Sequence, residues 1–303
     1  EVEDKNKFLR VLVPTWRHDI TEAVDIVEEQ LRINGYDQLR ELLLENNLSF
    51  GKKILSFDEY RNRIISSTLA KRGLYESVTF SFLSKIDYEM YSNNIEPVVL
   101  ENPIAEDLSF MRPSLLPNLL NSFIKNNNKG LKNYGLYEVG SVYLGVDYKD
   151  QILSSAGIRS GKVLSRHWAL ESRDFDIYDV KKDAFSALEN VGINTNSLVL
   201  NRDVPKWYHP GRGASINLGK NLLGYFGELH PKYSEIYGMR IMCFELFHNQ
   251  FPKTIKKNPF KEYISYSLMP LKRDFAFVTN ADTSSEDIIK SIKTSLNNII
   301  SIK

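Results

Sequence analysis

Cysteine is nearly missing from this chain. Cys243 is the one thiol in 303 residues, so an internal disulfide, a zinc cluster and a redox pair are all excluded, and a reducing compartment fits. Charge of one sign is not in excess either. Lys and Arg number 39 against 38 Asp and Glu, a formal charge of +1 that excludes bulk attraction to nucleic acid or membrane and confines any such contact to a local patch. No run approaches the ~18 apolar residues of a membrane span. The N-terminal Glu-Val-Glu-Asp-Lys has neither an initiator Met nor the apolar stretch of a signal peptide. The chain is therefore expected to be a piece of a longer, cytoplasmic polypeptide. Nucleotide and hydrolase signatures are absent as well: there is no G-x-G-x-x-G, Walker sequence, H-E-x-x-H or G-x-S-x-G, and no repeat. Hydrophobic residues at 42% and charged residues at 25% nonetheless describe a chain able to build packed cores, and its length predicts two or three domains.

What is present is a mixed pattern. Apolar Phe8 to Val13 predicts a strand stopped by Pro14, and Thr15-Trp16-Arg17-His18-Asp19 a polar turn. A helix is predicted from Thr21 or Glu22 to Ile33, with acids in its first turns and Asn34-Gly35 as its left-handed stop. Arg40 to Lys53 is polar and reads as a linker. Ser56 and Glu59 have capping-box spacing, and Phe57, Tyr60, Ile64, Ile65 and Leu69 recur with helical period until Gly73. Ser77 to Phe82 alternates as a half-buried strand does. Leu115, Leu116, Leu119, Leu120, Phe123 and Ile124 form a helical stripe, Gly135 to Leu144 a strand, Asp179 to Val191 a helix and Ser197 to Leu200 a strand. Ile216 to Leu218 and Leu222 to Phe226 predict a hairpin, and Cys243 to Phe247 a further strand in which the thiol is buried. An antiparallel sheet is the economical reading. Beyond basic Pro252 to Lys261, Phe275 to Val278 predicts a strand and Ser285 to Ile300 a helix, a unit of about 40 residues too small to bury a core alone.

Asp19, Asp25, Glu28 and Glu29 are the most informative cluster, the last three lying at i, i+3 and i+4 on one helical face. Val24, Val27 and Leu31 on one side and Ile26 and Ile33 on the other are expected to hold that face in a fixed direction by packing. Two readings stand. Carboxylate-only ligands select Mg²⁺ or Ca²⁺. Acids near a helix N-terminus also complement its dipole, with Glu28 pairing Arg32. His209-Pro210-Gly211-Arg212 and Glu228-Leu229-His230-Pro231 offer histidines for a general base, but no local spacing supplies a partner and turn chemistry explains them equally well. Basic residues concentrate at Arg61, Arg63, Lys71 and Arg72, at Lys125, Lys129 and Lys132 among asparagines, and at Lys253, Lys256, Lys257 and Lys261, where each group can meet phosphate or solvent.

Val13-Pro14-Thr15-Trp16-Arg17-His18-Asp19-Ile20, Asp25-Ile26-Val27-Glu28-Glu29 and Ile33-Asn34-Gly35-Tyr36-Asp37 resemble the end of the B5 domain in the β subunits of bacterial phenylalanine-tRNA ligases. Further blocks follow in the order of that family: Asn102 to Leu108, Met111-Arg112-Pro113-Ser114-Leu115-Leu116-Pro117, Leu136-Tyr137-Glu138-Val139-Gly140, His209 to Arg212 and Gly227 to Pro231. Pro270 with Arg273-Asp274-Phe275-Ala276-Phe277-Val278 resembles the opening of the family's anticodon-binding domain. The resemblance implies an α+β chain: a partial B5 domain at 1–45, a linker at 46–55, a class II aminoacyl-tRNA synthetase-like antiparallel sheet with flanking helices at 56–250, a linker at 251–262, and at 263–303 the start of a truncated ferredoxin-like anticodon-binding domain.

It also implies function. Where class II enzymes carry a catalytic Phe-Arg-x-Glu, the aligned positions here are Tyr143, Leu144, Gly145 and Val146, so an arginine that would hold the ATP α-phosphate is missing and the domain is expected to be catalytically silent. Adenylation with ATP would belong to the catalytic α subunit of an α2β2 tetramer that joins phenylalanine to tRNA(Phe), this subunit being scaffold and tRNA-binding partner. In the family, residues matching Asp19, Asp25, Glu28 and Glu29 are Mg²⁺ ligands at a site shared with the α subunit. Lys272, where the family often has arginine, and Arg273 are the implied tRNA contacts. The competing expectations are a stand-alone RNA-binding or regulatory protein on a degenerate synthetase domain, and a hydrolase using His209 or His230.

Overall fold

Pro14 and Gly35 bracket the first helix because neither residue suits a helix interior. The structure, a computed structural model, describes residues 2–42 except 5 and 7, 54–253 except 94, 269–280, 283–296, and positions 299 and 302. Its contacts divide the chain into Glu1–Ser56 and Phe57–Lys303. In the first unit, β1 (Val2–Asp4) and β2 (Leu9–Val11) pair antiparallel, with Val2 opposite Val11. Helix α1 (Ala23–Asn34) opens where Asp25 Oδ2 accepts the backbone N–H groups of Thr21 and Glu22, each at 2.7 Å. It closes on Gly35, whose φ of 94° lets its N–H return to Leu31 O at 2.8 Å. No residue of α1 is buried, and Val24, Val27 and Ile33 are exposed. Packing among the described residues therefore does not orient the acidic face; hydrogen bonds do.

The second unit contains α2 (Phe57–Lys71), β3 (Tyr75–Glu76), β4 (Phe82–Leu83), α3 (Lys85–Tyr91), β5 (Phe110–Met111), α4 (Leu116–Asn128), β6 (Tyr134–Tyr143), β7 (Gln151–Ser160) and α5 (Ile177–Asn190). It continues with β8 (Val199–Asn201), β9 (Tyr208–Leu218), β10 (Asn221–Leu229), α6 (Pro231–Tyr237), β11 (Ile241–Phe247) and α7 (Ser285–Ser295). Seven strands form one sheet in the order β3-β6-β7-β11-β10-β9-β8, antiparallel throughout except for the parallel β3–β6 pair. The short β4–β5 pair lies outside that sheet.

Both faces of the sheet are covered, and β11 shows how. Met242, Phe244 and Leu246 enter a core with Ile65 and Leu69 of α2 and Val180, Ala184 and Leu188 of α5. Ile241 and Cys243 point the other way, into a core with Leu116, Leu119, Leu120 and Phe123 of α4, Tyr91, Trp207 and Tyr233. Because successive side chains alternate, a strand with two dry faces is apolar nearly throughout, and in β11 Glu245 is the exception. Cys243 is fully buried as expected, and burial pushes its thiol pKa up. Among the described residues no helix is long and apolar enough to cross a membrane.

Two strand predictions are corrected. Ser77 to Phe82 is not one strand: pairing with β6 stops after Glu76, and the chain leaves the sheet. Other partners take over its carbonyls there, since the Asn118 side-chain Nδ2 donates to Phe80 O at 2.8 Å and the Arg112 backbone N–H donates to Ser81 O at 3.0 Å. Phe275 to Val278 is unpaired, because no neighbouring strand among the described residues supplies a ladder; Phe275, Phe277 and Val278 are exposed. α7 ends at Ser295 rather than Ile300, where Leu296 turns extended. The linker residues 46–53 and 254–262, and the first residues of the third segment, 263–268, lie outside the described set.

Gly157, at the centre of β7, faces the Phe244 ring, and a Cβ there would sit 2.4 Å from Phe244 Cε1. Gly157→Ala is expected to destabilise the fold by about 1–3 kcal/mol through overpacking. Gly211→Ala, whose Cβ meets only ordinary contacts, serves as the control. Urea midpoints measure the difference.

Candidate functional site

The acidic face of α1 is already occupied by the chain's own cations. Arg17, delivered by the turn after Pro14, donates from Nε and Nη2 to Asp19 at 3.0 and 2.7 Å, and from Nη2 to Glu29 Oε1 at 2.5 Å. Arg32 Nη2 donates to Glu29 Oε2 at 2.6 Å, so it pairs Glu29, three residues back, rather than Glu28. Arg17 lowers the Asp19 pKa to about 2 and, with Arg32, holds Glu29 below its ordinary value. The backbone N–H groups of Glu22 and Thr21 do the same for Asp25. Glu28 has no hydrogen bond or ion pair among the described residues. The structure thus joins Asp19 to Glu29 through Arg17, assigns Asp25 to the helix start and leaves Glu28 apart. Among the described residues no group of three or more His, Cys, Asp or Glu is placed to hold a metal ion.

Lys272 and Arg273 lie on an exposed segment without regular secondary structure, where Arg273 Nη1 donates to Lys272 O at 3.1 Å. The histidines of the paired motifs each accept a backbone N–H two residues on. His209 Nδ1 accepts the Gly211 N–H at 3.0 Å, and His230 Nδ1 accepts the Lys232 N–H at 3.2 Å at the start of α6. The charged members of those motifs answer each other: Glu228 accepts Arg212 at 3.0 Å and Arg240 at 3.0 and 2.9 Å, which keeps its carboxyl ionised below the usual range despite burial. At the end of β6, Tyr143 N–H donates to Arg112 O and Leu144 N–H to Asp150 O, a hairpin closure in which Tyr143, Leu144, Gly145 and Val146 present no cation.

The motif residues inside the sheet do structural work that sequence alone did not assign. Arg112 and Glu138, both 3% exposed, pair at 2.8 Å. Arg112 Nε also donates to Ser141 O at 2.9 Å, and Thr79 Oγ1 donates to Glu138 Oε2 at 2.7 Å. Gly140 leaves the room: a Cβ there would lie 2.6 Å from Arg112 Nη2. Asp183, fully buried on α5, accepts Arg159 Nε at 2.5 Å and also Arg72 Nε. Glu245 of β11 accepts Ser114 Oγ at 2.5 Å and is also met by Trp207 and Tyr208; burial pushes its carboxyl pKa up. Only the polarity of such residues within apolar strand patterns could have flagged them.

This arrangement, a mostly antiparallel sheet between two helical layers, is that of a synthetase-like α/β domain. The crystal structure of pyrrolysyl-tRNA synthetase from Desulfitobacterium hafniense matches it with a TM-score of 0.50 and 16% identity, over 80% of this chain and 81% of that one. The particular family is given by sequence. Residues 48–248 match the family model of the phenylalanyl tRNA synthetase beta chain CLM domain and residues 1–36 that of the tRNA synthetase B5 domain, and the chain belongs to the phenylalanyl-tRNA synthetase β-chain family. The phenylalanine-tRNA ligase beta subunit of Rhodospirillum rubrum is 37% identical over 296 residues, 96% of this chain and 37% of that protein. That of Paramagnetospirillum magneticum is 37% identical over 291 residues, 94% of this chain and 36% of its own. The chain spans little more than a third of the length of these curated relatives.

His248, in the core between α2 and β7, bonds Asn62 through Nδ1 and Ser155 through Nε2, both at 3.0 Å, and burial lowers its pKa to about 3. The unfolded histidine, with a pKa near 6.5, binds a proton that the folded one refuses. Stability is therefore expected to be complete above about pH 6.5 and to fall as pH drops toward 3. His248→Gln removes up to one proton from that slope. Denaturation free energies measured between pH 4 and 7, roughly the titration window of free histidine, in the variant and parent check it.

Proposed function

We propose that this chain is part of the non-catalytic β subunit of a cytoplasmic phenylalanine-tRNA ligase, serving the catalytic α subunit as scaffold and tRNA-binding partner in ATP-dependent attachment of phenylalanine to tRNA(Phe). The reading places a partial B5 domain at 1–45, the silent class II-like core at 56–250 and the opening of a ferredoxin-like anticodon-binding domain at 263–303. The observation that carries it is how the charged motif residues are used. Arg112 faces Glu138, and Arg212 faces Glu228, so the cations that the family motifs supply are consumed by internal pairing. Position 144, where a phosphate-gripping arginine would stand, is a leucine. Stabilising the charge that develops when an adenylate forms requires oriented cations or donors. Here that requirement passes to the α subunit, in an α2β2 assembly.

The donor chemistry of the α1 face suits a hard cation. Asp25 uses only Oδ2 for the helix start, and Glu28 is unpaired; Asp19 and Glu29 become ligands once Arg17 yields them. Asp19, Asp25, Glu28 and Glu29 are therefore proposed to hold Mg²⁺ at the junction with the α subunit, where the ion would neutralise anionic groups on both sides. Lys272 and Arg273, exposed and without a carboxylate partner among the described residues, are proposed tRNA contacts.

Mixing the full-length β chain with the α subunit tests the core of this reading. A complex with phenylalanine charging is expected. Absence of a complex, with tRNA binding retained by the β chain alone, would instead identify a stand-alone RNA-binding protein. For the metal, Asp25→Asn with Glu29→Gln is expected to weaken Mg²⁺ binding by the assembled enzyme, because two anionic ligands are lost. An unaltered Mg²⁺ titration sinks the assignment.

A further inference from the structure

Arg17 touches two of the four carboxylates proposed to hold Mg²⁺, and it covers the oxygens an ion would need. Its Nε donates to Asp19 Oδ1 at 3.0 Å, its Nη2 to Asp19 Oδ2 at 2.7 Å, and the same Nη2 to Glu29 Oε1 at 2.5 Å. One guanidinium thus takes both oxygens of Asp19 and one of Glu29. Arg32 takes the second oxygen of Glu29, at 2.6 Å, and pairs with no other proposed ligand among the described residues.

The backbone brings Arg17 to that place. The turn after Pro14 closes as the Arg17 N–H donates to Pro14 O at 3.0 Å, with Asp19 two residues on, while Glu29 arrives from the body of α1. The guanidinium stays charged at every physiological pH, so Arg17 leaves these acids by exchange with another cation and not by losing its proton. The bridge also lies at the surface: the Arg17 and Glu29 side chains are 32% and 27% exposed and that of Asp19 64%. Exchange there opens no core, and surface ion pairs of this kind are weak enough to allow it.

We propose that Arg17 is a resident counter-ion that keeps the α1 acids closed, competing with Mg²⁺ for Asp19 and Glu29 and so setting the metal concentration at which the site fills. The inference rests on the reading of these acids as ligands and adds an internal competitor to it. Two carboxylates brought together without a cation repel. Arg17 removes that repulsion, so the contact that gathers the two acids is also the one that covers them. When Arg17 yields, Arg32 still faces Glu29 Oε2, and that acid keeps one cation throughout. A competitor and a purely structural bridge differ in sign. Loss of a structural bridge lets the acids part and weakens metal binding, whereas loss of a competitor tightens it.

The full-length β chain, assembled with its α subunit, stripped of metal by a chelator and free of nucleotide, is titrated calorimetrically with Mg²⁺ alone, and the binding that Asp25→Asn with Glu29→Gln removes is followed. Arg17→Gln is expected to tighten it about tenfold, since two surface ion pairs no longer compete. Arg32→Gln removes the same charge but leaves Arg17 in place, and is expected to tighten it by no more than about threefold. Arg17→Lys keeps the charge without the fork that reaches both acids; it is expected to fall between the two and is read where the Gln variant fails to assemble. A parent that binds Mg²⁺ while the Arg17 variant binds it equally or more weakly overturns the competitor and leaves the metal assignment standing. Equal tightening by Arg17→Gln and Arg32→Gln would reduce the effect to net charge and also overturn it. Failure of parent and Arg17 variant alike to bind Mg²⁺ overturns both readings.

Discussion

The pair between Arg112 and Glu138 is the interaction on which the second unit's arrangement most depends. Its two ends come from the loop before α4 and from the middle of β6, and its hydrogen bonds reach Thr79 on the chain leaving β3. One buried contact thus ties an edge of the sheet, its covering helix and an irregular crossing segment. Removing either partner alone would strand a charge in a site only 3% exposed, at a cost of about 3–5 kcal/mol. The pair, once both members are present, does less for net stability than for defining a single arrangement, because taking two ions out of water offsets most of their attraction. The same logic recurs where Arg72 and Arg159 meet Asp183 beneath α5.

These pairs connect fold to role. A sheet whose buried arginines are engaged by buried carboxylates keeps its shape and holds those cations inside the fold. In the first unit, Arg17 bridging Asp19 and Glu29 plays a related part at the surface. There the guanidinium stays within reach of water, so the contact costs little to open and screening weakens it further. The core pairs are closed off from solvent, and the α1 pair is open to it.

Helices and doubly buried strands were legible from periodicity. The stripe from Leu115 to Ile124 lies within the loop end and body of α4, and Cys243 to Phe247 within β11. β7 was not legible. Ser154, Ser155, Gly157 and Arg159 break its apolar pattern, yet all are buried. Ser154 Oγ bonds Leu246 O, Gly157 makes room for Phe244, and Arg159 answers Asp183, so each exception is set by a partner distant in sequence. The short helices α3 and α6 were missed because about two turns carry little period; their caps, Ser84 and His230, were the available signals. Of the candidate site, the acidic residues were visible in the sequence and their engagement by Arg17 was not, since a turn's direction decides which carboxylates an arginine reaches.

The lone cysteine has one more consequence. Its sulfur lies in the strand that the sheet's two helical layers enclose, and Tyr208 and Glu245 close in around it. Alkylating reagents attack thiolates, and a thiol held protonated out of solvent reacts only while its surroundings are parted. The rate at which Cys243 acquires a label therefore counts how often the central strand becomes accessible, a built-in clock for the opening of the core that needs no introduced probe.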